Sequence, residues 1–173
     1  MKSSAMSSKL KSPKSTIEQD ADFRDFITEL FAVAAGMQSL RRAIGKRIGL
    51  GGTELGILLS LSRLSADGPV NVKQVADHLH VAAAHITAEV NGLVVRGYIA
   101  KQTSAQDSRA VELRVTAKGG DILASIGPNL QTINEALFDP LNQQALKNQR
   151  RFFQRVLAGL PEALARLPSP RED

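Results

Sequence analysis

The chain has 173 residues, of which 43% are apolar and 23% charged, with a net charge of +5 and no cysteine. That length is enough for one domain with a core of its own, and the missing cysteines exclude disulfide scaffolds, cysteine-rich zinc sites and thiol redox sensors. No run approaches the roughly 18 consecutive apolar residues of a membrane span, and the serine- and lysine-bearing start has no apolar stretch like that of a secretion signal, so a cytoplasmic protein without a membrane partner is expected.

Residues 1–19 hold Lys2, Lys9, Lys11 and Lys14 against Glu18. Such a segment buries too little surface to offset its ordering entropy, and reads as a disordered basic tail. Most of the net charge sits there, so charge alone is a weak pointer to nucleic acid. From Asp20 onwards Phe23, Phe26, Ile27, Leu30, Val33, Ala34, Met37, Leu40, Ile44 and Ile48 recur at helical spacing up to GLGG, a natural stop. Thr53 is placed to cap a second helix, in which Leu55, Leu58, Leu59, Leu61 and Leu64 leave little polar face and should lie inside. Asp67, Gly68 and Pro69 end it.

Asn71, with Gln74 three residues on, opens a short third helix whose inner side carries Val72, Val75, Ala76 and Leu79. A break at His80 to Ala83 precedes a fourth helix with Ile86, Val90, Leu93 and Val94 at helical spacing, ended by Gly97. That packing face leaves positions 84, 85, 87, 88 and 91 outside. Tyr98 to Gln102 and Val111 to Val115 read as two strands joined by a long polar tip. Thr116 should cap a fifth helix, kinked at Gly127 and Pro128. Asp139 and Pro140 should open a sixth, with Leu141, Ala145, Phe152, Val156 and Leu160 inward and an interruption at Pro161.

This order implies a mainly α (α+β) protein, a winged helix-turn-helix flanked by long N- and C-terminal helices. Their apolar stripes exceed what one small domain covers, which suggests a second copy as the covering surface.

Three stretches carry a more specific likeness: VKQVADHLHV, ITAEVNGLVVRGYI and QDSRAVELRVTAKG. Over residues 53 to 120 the sequence resembles the MarR (multiple antibiotic resistance regulator) family of bacterial transcription factors. The resemblance implies one domain over 20–173, with a winged helix-turn-helix at 53–118 and dimerisation helices at 20–52 and 119–168. It further implies a homodimer that presents two winged helices to a pseudo-palindromic operator in double-stranded DNA. Members are usually repressors, often released by small aromatic or phenolic acids or related thioesters.

Carried over residue by residue, the resemblance assigns Asp107, Ser108 and Arg109 to the wing, with the arginine in the minor groove and the aspartate holding it. Ala83, Ala84, His85, Thr87 and Ala88 lie on the first turns of the recognition helix, the part that meets base edges. Relatives often carry a polar or arginine side chain where this chain has Ala88, which favours contact with thymine methyls over guanine recognition. Asn71, Lys73, Gln74, Lys101, Arg114 and Lys118 are candidates for phosphate contacts. Arg41 and Arg42 could receive an anionic effector.

His78, His80 and His85 fall within eight positions, but His78 and His80 point about 200° apart on a helix and no further ligands join them, so no metal and no cofactor is expected. KGG and GLGG are too short for a phosphate loop, and no nucleophile with a base assembles, so the chain does not read as an enzyme. The competing reading is a dimeric helical protein-interaction module that uses its winged helix without binding DNA.

Overall fold

The computed structural model describes residues 21–103, 111–139 and 141–168. The basic tail, the wing tip with Asp107, Ser108 and Arg109, Pro140 and the last five residues lie outside the described residues. The elements in order are α1 (Ala21–Arg47), α2 (Gly52–Leu64), α3 (Val72–Leu79), α4 (Ala83–Val95), β1 (Ile99–Thr103), β2 (Val111–Val115), α5 (Ala117–Phe138) and α6 (Gln143–Ala165). Mostly helical with one small sheet, this is the expected winged-helix architecture. The chain packs as two compact units, Met1–Ser125 and Ile126–Asp173.

In the first unit α1 stops at a tight reversal. Leu50 N–H bonds back to Gly45 O at 2.9 Å, and a Cβ on Gly45 would lie 2.7 Å from Leu50 O, so only glycine fits there. Thr53 was expected to cap α2, but the helix starts one residue before it and Gly51 takes the cap position. The reason is Glu54, whose Oε2 accepts from Gly51 N–H at 2.7 Å and draws the chain into helix earlier.

The core is built by Leu50, Ile57, Leu58, Leu61, Val70, Val75, Ala76, Ile86, Val90, Leu93, Ile99 and Leu113. α2 runs through its middle and buries Leu55, Ile57, Leu58 and Leu61. Leu59, expected inside, is 37% exposed. It shares a narrow outward strip with Ser62 and Arg63, spaced i, i+3 and i+4, which are exposed as well.

β1 and β2 form an antiparallel pair in the register Ile99↔Val115, Lys101↔Leu113 and Thr103↔Val111. Val70 joins on the other edge of β2 through Leu113 N–H to Val70 O at 2.7 Å. The alternation expected of β2 holds at Leu113 but not at Val111, which is 49% exposed, whereas Glu112 on the opposite face is buried to 6% exposure. Strand period alone does not say how far cover extends along a hairpin. Thr116 caps α5 as expected: its Oγ1 accepts from Gly119 N–H at 3.1 Å and donates to Gly97 O at 2.7 Å.

α5 passes through Pro128 as continuous helix, and α6 likewise passes through Pro161 to Ala165. The interruption expected at Pro161 is absent. Each proline removes one amide, and the carbonyls left over belong to Ala124 and Leu157, both exposed residues, so the lost bond is not a buried one. The expected cap at Asp139 is also displaced. Asp139 N–H still bonds to Glu135 O at 2.9 Å as the end of α5, and Asn142 caps α6 by accepting from Ala145 N–H at 2.8 Å.

α6 has no buried residue. Ala145, Phe152 and Val156 are half-buried as expected, but Leu141 and Leu160 are exposed. Leu160 belongs with Leu146, Phe153, Leu157 and Leu164 to a second, uncovered apolar stripe. On α1 Phe26, Val33 and Met37 form a like exposed row, and Phe31, 72% exposed, lies on another side of the helix. Among the described residues no helix is long and apolar enough to cross a membrane.

Candidate nucleic-acid interface

α3 and α4 form a helix-turn-helix, and the sequence dictates the turn between them. Asn71 and Gln74 close a reciprocal cap, Gln74 N–H to Asn71 Oδ1 at 3.0 Å and Asn71 N–H to Gln74 Oε1 at 2.8 Å. At the far end His80 adopts the left-handed conformation, φ 53 and ψ 45, and is the α3 C-cap, which swings the chain through Val81 and Ala82 into α4. A non-glycine residue there is uncommon, and histidine tolerates it better than β-branched residues do.

α4 turns Ile86, Val90 and Leu93 wholly into the core. Its other side is open: Ala83, Ala84, His85, Thr87, Ala88, Asn91 and Val95 are all exposed. These include the five recognition-helix positions read from the sequence. Ala82 supplies no side-chain cap, so the first amides of α4 remain available at the positive end of the helix dipole. Thr87 offers less than its composition suggests, since its hydroxyl donates to Ala83 O at 2.9 Å and leaves a lone pair and the methyl outward.

Five of the six candidate phosphate contacts have partners inside the protein. Besides the Asn71–Gln74 cap, Lys101 Nζ donates to Asn91 Oδ1 at 2.6 Å. Arg114 lies 3.6 Å from Glu112, and Gln102 accepts from Arg114 Nη2 at 3.0 Å when its amide is turned to satisfy both. Lys118 Nζ donates to Arg96 O at 2.8 Å and sits 4.7 Å from the centre of the Tyr98 ring. Lys73, on α3, is exposed and has no hydrogen-bond or ion-pair partner among the described residues.

Sequence reading missed Arg96 at the end of α4. Its Nη1 donates to both carboxylate oxygens of Glu54 at 2.9 Å, and its Nη2 to Gly49 O at 2.6 Å. The guanidinium also lies over the Tyr98 ring, 5.1 Å from its centre. Desolvation opposes the charge, but the hydrogen bond and charge of Glu54, then those of Tyr98, outweigh it and raise Arg96 above the usual arginine range. Gly97, at φ +75, then turns the chain into β1. The rear of α4 is thus tied to the α1–α2 corner and, through Lys118 and Thr116, to the start of α5. Only the separation of 42 positions between Glu54 and Arg96 hid this pair.

Arg41 and Arg42 sit on α1 beside α2. Arg41 packs on Gly56, where a Cβ would lie 2.9 Å from Nη1, and its Nη2 donates to Gln38 Oε1 at 2.6 Å. Its Nε is buried with no hydrogen-bond partner among the described residues. Arg42 Nη2 donates to Ser39 Oγ at 2.8 Å. No group of histidines and carboxylates among the described residues could hold a metal ion.

A helix-turn-helix with its second helix open to solvent, followed by a β-hairpin, defines a winged helix-turn-helix protein. A sequence model described as MarR family matches residues 48–110, so this segment is similar to that family. The HTH-type transcriptional regulator YpoP of Bacillus subtilis is 37% identical over 60 residues, which is 35% of this chain and 43% of that one. The chain spans less than half the length of the curated relatives it matches. Among solved structures, a MarR family transcriptional regulator from Streptomyces coelicolor in complex with DNA superposes with a TM-score of 0.68 at 19% identity, covering 87% of this chain and 94% of that one. CouR from Rhodococcus jostii RHA1 bound to p-coumaroyl-CoA superposes with a TM-score of 0.65 at 17% identity, covering 83% and 95%. At such identities the structural likeness concerns the fold. YpoP and the Streptomyces coelicolor protein are regulators of transcription.

Proposed function

We propose that this chain is a homodimeric, sequence-specific DNA-binding transcriptional regulator, a repressor released by a small anionic effector of aromatic or phenolic character. The observation that carries the reading is the division of α4, fully buried at Ile86, Val90 and Leu93 and open to solvent at Ala84, His85, Thr87, Ala88 and Asn91. A helix held so rigidly on one side and so bare on the other suits insertion into a major groove. In the proposed complex each subunit contributes one α4, the two being roughly 10 base pairs apart. Arg109, held by Asp107 beside Ser108, enters the adjacent minor groove.

The uncovered stripes on α1 and α6 support the dimer, because exposed apolar rows of that length are unfavourable in a lone chain. Arg41 supports the anionic effector. A buried, unpartnered Nε beside α2 gains a hydrogen bond when a carboxylate or thioester-linked phosphate arrives, and Arg42 on the next position adds charge. An effector there would act by favouring a dimer in which the two α4 helices no longer match successive grooves.

The test is selection of bound duplexes from a random pool, followed by titration of the best one at increasing salt. The reading expects a two-fold related site whose affinity falls steeply with salt. A chain that retains no duplex at low salt overturns it in favour of a protein-interaction module.

A further inference from the structure

Lys101 and Asn91 come from the wing strand β1 and the recognition helix α4, and their side chains meet at 2.6 Å, Nζ to Oδ1. The meeting follows from register. Opposite residues of an antiparallel pair project to the same side of the sheet, and Lys101 stands opposite the buried Leu113. The lysine stem therefore leaves the hairpin on its helical side and carries the ammonium to the surface of α4. Both residues are exposed.

An ammonium group can only donate, so this bond decides how the Asn91 amide is turned. The oxygen faces Lys101, and the two N–H groups of Nδ2 face away from it. Lys101 keeps two further N–H groups. Ordinarily asparagine reads adenine with both ends of its amide, accepting from N6 and donating to N7. Here the oxygen is held by a cation, and the pair presents donors. Ala88 and Ala84, three and seven positions earlier on the same helical row, are too short to hold a duplex away from it.

We infer that Asn91 and Lys101 form a DNA-contacting donor pair that takes an acceptor-only group of the duplex, either the O6 and N7 edge of guanine or neighbouring phosphate oxygens. The inference rests on the DNA-binding reading above. With guanine as the source it also revises the expectation drawn from Ala88, placing guanine readout two turns into the helix on a paired asparagine.

The experiment selects duplexes from a random pool with the wild-type chain, Asn91→Ala and Lys101→Met, and measures affinity on the wild-type site and its single-base variants. If guanine is the source, Asn91→Ala loses about 5- to 150-fold on the wild-type site and its preference at one position of each half-site disappears. Lys101→Met then frees the amide oxygen, and adenine becomes accepted at that same position, a change of letter that a merely structural lysine does not produce. If phosphate is the source, affinity falls alike on all sequences and the salt slope of Lys101→Met drops by about one. Both side chains are exposed, so unchanged melting curves are expected to show that the variants fold. Wild-type affinity, letter preference and salt slope in both variants overturn the inference and leave DNA binding standing. A wild-type chain that selects no duplex overturns the DNA-binding reading itself, and the inference with it.

Discussion

Arg96, at the C-terminal cap of α4, holds both carboxylate oxygens of Glu54, in the first turn of α2, at 2.9 Å. Glu54 simultaneously caps α2 through Gly51 N–H at 2.7 Å, so one carboxylate closes the α1–α2 corner and anchors the rear of α4. Arg96→Gln and Glu54→Gln are each expected to lower stability by about 1–2 kcal/mol, a charge-assisted hydrogen bond moderated by partial exposure. In urea unfolding the double variant should lose less than the sum, because both changes remove one contact. Additive losses would show that the two side chains do not depend on each other.

The two sides of α4 should separate in mutagenesis. Ile86 is fully buried, and Ile86→Ala is expected to cost about 2–5 kcal/mol of stability. His85→Ala and Thr87→Val, on the open side, should stay within about 0.5 kcal/mol of wild type in unfolding while weakening binding to a selected duplex. Wild-type affinity in both surface variants would remove His85 and Thr87 from the reading surface.

Dimerisation should depend on the uncovered rows. Met37→Glu on α1 and Phe153→Glu on α6 each place a charge among exposed apolar side chains, and each is expected to shift a micromolar sample from dimer towards monomer in sedimentation equilibrium with the melting of secondary structure intact. A wild-type monomer at that concentration would refute the two-headed mode of binding.

Arg109→Ala tests the wing. Loss of a minor-groove arginine should weaken binding most on sites with A/T-rich flanks and flatten the dependence on their sequence. Equal affinity for A/T-rich and G/C-rich flanks in the wild-type chain would count against the assignment before any variant is made.

Local chemistry determined much of this protein without help from distant contacts. The Asn71–Gln74 cap, the Gly97 reversal, the Thr116 cap and the inward face Ile86, Val90 and Leu93 depend on residues three to four positions apart or on one backbone angle, and they stand as the sequence predicts. That 84, 85, 87, 88 and 91 lie off this inward face follows from the same helical period.

What the tertiary structure decided is which polar groups remain free. Lysines and arginines at 101, 114 and 118 look equivalent in a sequence, yet register and helix placement give each a partner at Asn91, Glu112 or the Arg96 carbonyl. Lys73 is left exposed without one among the described residues. The same holds for apolar residues. Leu59 and Leu160 satisfy helical spacing as well as their neighbours do, and only packing assigns them to solvent. Periodicity states which side chains share a face, a property of one helix; whether that face is covered, or a charge is paired, is a property of two elements, and it exists only once the chain has folded.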